Sequence, residues 1–442
     1  MLNRKNKWEL MGENGDFYIK KELDYKKMAR KLMKHIKGYL MFNVPYCIIN
    51  GYKELNNKDS DIDILLKKSD LKKVEDLLKE NFKSEKLVQI YHHDLYAKNC
   101  FLWNKEKKEL LNLDIYGRLD RRGVVFFNEK EIFETLKYYK GIPILSSEKE
   151  FIYYLIKKLD KKDFSEKVFS YLRELYFESE EKSKEVIKKF LRNESVNVIK
   201  AFEKNNINLI DKKKILKEFD KNRKNAFFEK TLNFFRIIKR IIKPTGISVA
   251  FLGPDGSGKS TVINELKKRQ LPFRRIDYFH LKPLKKRNNN TIIVEDPHKY
   301  PPYSKIKSFV KLIYFVYQYN IGWIKNILPL KIRSSLVIFD RYYDDILVDK
   351  KRYRISLGDF WVKFFRNFIP KPDLYFVLVT EPEIIYERKQ EVSFEELKNQ
   401  VKKYEHSVDN KKYIKIDVNK KPEEIVDEIV NILMEKMSER YK

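Results

Sequence analysis

Gly253, Gly258, Lys259 and Ser260 fit the spacing G-x-x-x-x-G-K-S within FLGPDGSGKST, residues 251–261. That spacing, between an apolar strand and a helix, suits a phosphate cradle. Its glycines, Gly253, Gly256 and Gly258, let the backbone curl so that successive N–H groups point inward at phosphate oxygens. The helix that follows adds its positive N-terminal end. Lys259 is placed to bridge the β- and γ-phosphates of a nucleotide, and Ser260 to offer its hydroxyl to Mg2+. Asp255, Ser257 and Thr261 complete the candidate nucleotide-binding set.

A second group lies in VIFDRYYDD (337–345). Asp340 closes an apolar strand, at the edge of a parallel sheet where ligands gather. A carboxylate there can hold Mg2+ through water, and Arg341 can grip a phosphate with two parallel hydrogen bonds. Further on, ERKQE (387–391) brings Arg388 and Lys389 to the end of a short helix. They are placed to close over a transferring phosphoryl group, with Arg388 the lid candidate. The alternative for them is a solvated basic helix end.

A third group precedes the cradle. In INGYKELNNKDSDIDILL (49–66), Asp61 and Asp63 stand two apart in a strand, which puts both carboxylates on one sheet face. LLNLDIYG adds Asp114 on a later strand. Three such carboxylates are what two-metal nucleotidyl transfer needs to hold its Mg2+ ions. Tyr52, after Gly51, puts a bulky ring in the turn ahead of these carboxylates, which obstructs or reshapes the approach of a triphosphate. His92, His93 and Asp94 lie between the carboxylates in sequence; adjacent histidines on a strand face opposite sides, so one at most can serve.

The elements that must position these groups separate into three regions. Residues 20–145 mix strand-like runs (YCIIN, DIDILL, ELLNLDIYG, GVVFF) with a helix over SDLKKVEDLLKENF. Residues 146–243 are helical, basic and amphipathic. KPTG (243–246) marks a boundary before a strand. From 244 to 442 short apolar strands (ISVAFL, TIIVE, SSLVIFD, LYFVLVT, KYIKIDV) alternate with helices, which predicts a parallel sheet covered on both faces. FVKLIYFVYQYNIGWIKNILPL (309–330) is interrupted by Lys311 and Lys325 and is expected as a buried helix of that domain, not a membrane span.

FLGPDGSGKST, FDRY and PKPDLYFVLVTEPEIIYERK together resemble the thymidylate kinase-like branch of P-loop nucleotide kinases, over about 200 residues. The resemblance implies ATP as phosphoryl donor, Mg2+, and a small phosphate acceptor. By matching position it gives Lys259 and Ser260 to ATP and Mg2+, and Asp340 with Arg341 to metal and acceptor phosphate. VEDPHKYPPYS (294–304) departs from the family's acceptor-framing segment; Asp296 and His298 are the acceptor-pocket candidates there. DDILVDKKRYR (344–354) also departs. Residues 25–145 resemble the nucleotidyltransferase fold, through the Gly-containing turn, D-x-D and later Asp. The expected architecture is therefore α/β and multidomain: an N-terminal α+β nucleotidyltransferase-like domain, a helical middle region, and a C-terminal P-loop parallel sheet with helices on both faces.

A length of 442 residues accommodates two or three such domains. The net charge of +30 comes mostly from lysines spread over the whole chain, which fits compositional bias and an acidic small substrate. It also keeps open a polynucleotide end-processing kinase; a regulatory ATP-binding protein without an acceptor is the third reading. Two cysteines, Cys47 and Cys100, cannot build a disulfide framework or a four-ligand zinc site. The first residues hold no apolar core of a signal peptide. A cytoplasmic enzyme is expected, its oligomeric state left open by the sequence, with a homodimer among the readings.

Overall fold

A computed structural model describes residues 44–50, 52, 62–82, 84–92, 94–223, 227–284, 300–406 and 412–441. They fall into two compact units. One holds the described residues up to Phe101 together with Leu111–Asn233, and the other holds Leu102–Leu110 with Phe234–Lys442.

The first unit is built on a mixed seven-stranded sheet of β1 (Tyr46–Asn50), β2 (Ile62–Leu66), β3 (Lys86–His92), β4 (Ala97–Asn104), β5 (Glu109–Tyr116), β8 (Lys137–Tyr139) and β9 (Ile142–Ile144), except that the adjoining ends of β4 and β5, within Leu102–Leu110, fall in the second. Two short strands, β6 (Asp120–Arg121) and β7 (Val124–Val125), form a separate hairpin where GVVFF predicted one longer strand. The strand order is β3-β4-β5-β2-β1-β9-β8. β2 runs antiparallel to β1 and parallel to β5, and the latter pairing sets Asp63 opposite Asp114. Parallel partners in register share a face, so both carboxylates lie on one side of the sheet. Cys47 and Cys100 are buried free thiols, and burial pushes Cys100 up to about 12.

Five longer helices follow: Ser147–Asp160, Glu166–Glu178, Glu180–Leu191, Ser195–Glu203 and Lys212–Asp220. Their apolar faces share one core with the sheet. Phe151, Leu155, Leu172, Ile187 and Phe202 of the helices join Cys47, Ile49 and Leu65 of β1 and β2. The Phe169 and Phe202 rings stack with centroids 4.8 Å apart.

The second unit carries a wholly parallel sheet of β10 (Ile247–Leu252), β11 (Arg275–His280), β12 (Ser335–Asp340), β13 (Leu374–Val379) and β14 (Tyr413–Asp417), flanked by helices. Its order is β11-β12-β10-β13-β14. The three central strands are buried at every residue, which is why they read as unbroken apolar runs. β11 reads differently because it is an edge strand with Arg275 and His280 exposed. The expected strand TIIVE lies outside the described residues.

One expectation is corrected. The helix Lys305–Gly322 buries Leu312, Phe315 and Tyr319, but Ile306, Val310, Ile313, Tyr314 and Tyr317 on its other faces are exposed. It is a half-buried surface helix, and among the described residues no helix is long and apolar enough to cross a membrane.

KPTG ends at a tight crossing. A Cβ on Gly246 would lie 2.6 Å from Lys331 Cα and from the Ser335 carbonyl oxygen. Gly246→Ala is therefore expected to destabilise the second unit by about 1–3 kcal/mol through overpacking. The urea midpoint checks it; an unchanged midpoint contradicts the crossing.

Candidate active site

β10 delivers the chain into the phosphate loop against its neighbour. Gly253 has φ +143°, and a Cβ there would sit 2.3 Å from the Leu378 carbonyl oxygen on β13, so only glycine lets the loop leave the sheet at this point. Gly256 and Gly258 also have positive φ, and Gly258 caps the helix Lys259–Lys268. Ser260 and Thr261 are exposed in that helix's first turn, while Ser257 is buried.

Lys259 is buried, and its ammonium donates to the Gly253 and Pro254 carbonyl oxygens at 2.9 and 2.7 Å. It also donates to Ser257 Oγ at 3.4 Å. Burial, followed by the nearby Arg341 charge, pulls its pKa down from 10.5 to about 8; Asp255 pulls the other way. At neutral pH the group stays an ammonium held mainly by neutral acceptors.

Asp340 ends β12, in register with Phe251 of β10 and His280 of β11. The Tyr278 hydroxyl donates to its Oδ2 at 2.9 Å, and His280 Nδ1 lies 3.8 Å away. Burial alone would raise this carboxyl, but His280, Lys259 and Tyr278 outweigh it and hold the group below its ordinary value.

The next residue turns sharply. Arg341 has φ +67°, a left-handed conformation that costs a non-glycine residue roughly 1–3 kcal/mol. Its N–H donates to the Phe251 carbonyl at 3.0 Å, and its guanidinium is buried between two carboxylates. One is Asp345, at 2.7 Å; the other is Asp255 of the phosphate loop. Asp345 is fully buried and also accepts from the Tyr353 hydroxyl at 2.8 Å and from the Tyr404 hydroxyl. Asp255 receives a second guanidinium, Arg352, which also lies 3.9 Å from Glu391. Burial would raise the Asp255 carboxyl, but a hydrogen bond with Glu391 and the charges of Arg341, Lys259 and Arg352 hold it well below the carboxylate range. Glu391 is raised in turn by sharing that bond.

Asp345, Arg352, Tyr353 and Tyr404 are site residues that the sequence reading did not single out. Three of them lie in or beside DDILVDKKRYR, the stretch noted only as a departure from the family pattern. That departure was the available signal.

The two basic residues of ERKQE part company. Arg388 ends the helix Pro382–Arg388 and donates to the Val418 carbonyl at 3.3 and 3.4 Å. Lys389 pairs with Glu391 at 2.6 Å. The segment does lie over the loop, because a Cβ on Gly256 would meet the Ile385 carbonyl at 3.0 Å and Lys389 Cβ at 3.1 Å.

In the first unit, Asp63 Oδ2 accepts from Lys157 Nζ at 2.6 Å, both side chains being almost wholly buried. Asp114 accepts from the Asn99 amide, which also donates to Asn112 at 2.7 Å. Tyr52 is buried and donates to Glu150 Oε2 at 2.7 Å. His92 is exposed at the end of the edge strand β3, and Asp94 is exposed after it. Asp61, Gly51, His93, Asp296 and His298 lie outside the described residues.

Among the described residues no group of three or more His, Cys, Asp or Glu is arranged to hold a metal ion. At the loop, the Ser260 hydroxyl and the Asp340 carboxylate are hard oxygen donors of the kind Mg2+ takes, alongside nucleotide phosphates and water.

No curated protein matches the chain. Among solved structures it is similar to a thymidylate kinase from Ehrlichia chaffeensis, at 16% identity and a TM-score of 0.32, covering 43% of this chain and 99% of that one. The thymidylate kinase family model matches residues 251–429, which make up a thymidylate kinase-like domain.

Proposed function

We propose that residues 244–442 form a kinase that moves the γ-phosphoryl group of Mg-ATP to a small acceptor, a nucleotide or a sugar-type metabolite. The observation that carries this reading is the convergence of three cations on the phosphate loop. Lys259 sits 3.8 Å from Asp255, and Arg341 and Arg352 both bind that carboxylate. Phosphoryl transfer is mostly positioning and electrostatic stabilisation, and fixed cations are what it requires around the moving group. In this reading Lys259 holds the donor phosphates, and Ser260 and Asp340 hold Mg2+, which neutralises charge on the phosphates when bound. The backbone N–H groups from Gly256 to Thr261 line the cradle.

Arg341 and Arg352 together shape the place for the acceptor's anionic group. Arg341 is buried and doubly paired, so it fixes the geometry. Arg352, 24% exposed at its side chain, is the one that can exchange Asp255 for a ligand. Arg388, tied to the Val418 carbonyl, holds the segment above Gly256 in place, and the Lys389 ammonium beside it pairs with Glu391.

Lys259→Ala is expected to abolish ATP turnover while the unfolding transition persists. Mass spectrometry of small molecules phosphorylated from a cell extract, with that variant as control, identifies the acceptor. Undiminished turnover in Lys259→Ala contradicts the kinase reading.

With the acceptor known, Arg352→Ala is expected to raise its KM roughly tenfold or more, as loss of a charge-assisted pair does. The KM for ATP should stay within about twofold, a split that a general loss of structure would not give. Arg352→Lys should recover part of the loss.

The pH dependence follows from Lys259. Because its pKa is lowered to about 8, the amine is charged at pH 7 and neutral by pH 9. Nucleotide affinity should hold steady below neutrality and fall as pH rises through about 8, by up to ~10-fold per unit. Titration with a fluorescent ATP analogue reads this, and Lys259→Arg should flatten the profile.

A further inference from the structure

The two described carboxylates on the sheet of the first unit, Asp63 and Asp114, have the register expected of a divalent-metal site, yet their surroundings are those of a site already filled. Asp63 and Asp114 are in-register partners on parallel strands. Lys157, from the helix Ser147–Asp160, brings its ammonium to 2.6 Å from Asp63 Oδ2, with side-chain exposures of 10% and 5%. The ammonium also lies 5.7 Å from the centre of the Tyr153 ring, one helical turn earlier, so it is held from two sides.

The other neighbours point the same way. Lys161 is lowered by burial and then by the positive charges of Lys157 and Arg121, which marks this face as locally rich in cations. Asp114 is in turn bonded by the Asn99 amide.

We propose that the Lys157 ammonium takes the place of the metal ion at Asp63. Among the described residues, the Asp63–Asp114 pair then does not bind Mg2+. A divalent ion would have to expel a buried ammonium from a 2.6 Å contact and leave it unpaired among Arg121 and Lys161. A lysine fixed there stabilises the carboxylate face as a rigid support, a role that needs no open coordination position. The proposal stands independently of the kinase reading, because it concerns other residues and another ion.

The test uses the full chain without nucleotide, with Mn2+ as probe and electron paramagnetic resonance to count bound ion. Wild type and the charge-neutral double variant Asp63→Asn/Lys157→Met should bind Mn2+ indistinguishably. Lys157→Ala should gain a site that is roughly tenfold or more tighter than any in wild type, since a fixed positive charge has been removed. Two outcomes overturn the proposal: a Mn2+ equivalent in wild type that the double variant loses, or a folded Lys157→Ala that gains none. If Lys157→Ala does not fold, the comparison of wild type with the double variant decides alone.

Discussion

A single buried guanidinium organises the second unit's site. Arg341 is 6% exposed and lies between Asp345 and Asp255, and each carboxylate belongs to a different part of the chain. Asp345 ties it to the Tyr353 and Tyr404 hydroxyls, and so to DDILVDKKRYR and to the helix Phe394–His406. Asp255 ties it to the phosphate loop and to Arg352. Removing one member of such a buried set leaves uncompensated charge, at a cost of about 3–5 kcal/mol. The positive φ of Arg341 is tolerated inside this set because its N–H, its guanidinium and the strand before it are all fixed. The loop's shape and the arginine's burial are thus two sides of one constraint.

That constraint explains what could be seen in the residues alone. Gly253, Gly256, Gly258 and Lys259 are close in sequence, and their roles follow from local backbone geometry, so spacing was enough to place them on a strand–loop–helix unit. Asp340 was legible for a similar reason: an apolar run followed by a carboxylate marks a strand end. Asp345 and Arg352 were not. Each gains its meaning from a partner far along the chain, Asp345 from Tyr404 and Arg352 from Asp255, and periodicity carries no information about such pairs. The edge strand β11 escaped because exposure on one side admits Arg275 and Asp277, which break the apolar run. The helix Lys305–Gly322 misled in the opposite direction. Its long apolar run, broken by Lys311 and Lys325, suggested burial, but only the face with Leu312, Phe315 and Tyr319 is covered.

The first unit shows the same limit at its carboxylates. Alternation concerned Asp61 and Asp63, and Asp61 lies outside the described residues; that Asp63 shares a face with Asp114 comes from the β2–β5 register. What reaches that face from above is set by a helix that begins more than eighty residues later. Lys157 lies in SEKEFIYYLIKKLDKK, a stretch whose sequence suggests an amphipathic helix with solvated lysines. In the structure it is buried to 8% exposure, while the next lysine, Lys158, pairs with Asp163. Lysine is a residue whose long stem lets the charge be delivered inward or outward from almost the same backbone position. Composition cannot separate the two.

The two units therefore hold a buried lysine in opposite electrostatic situations. Lys157 faces a carboxylate directly, so its charge is compensated inside the protein, and a further ion on that face must compete with it. Lys259 donates chiefly to two backbone carbonyls and a hydroxyl, while the nearest carboxylate, Asp255, is shared with Arg341 and Arg352. Burial, with the Arg341 charge beside it, lowers its pKa to about 8. An ammonium in that condition gains from an incoming anion, whereas one already matched to a carboxylate does not. The difference between the two lysines lies in the partner, since both are almost wholly buried and each has an aspartate within 4 Å.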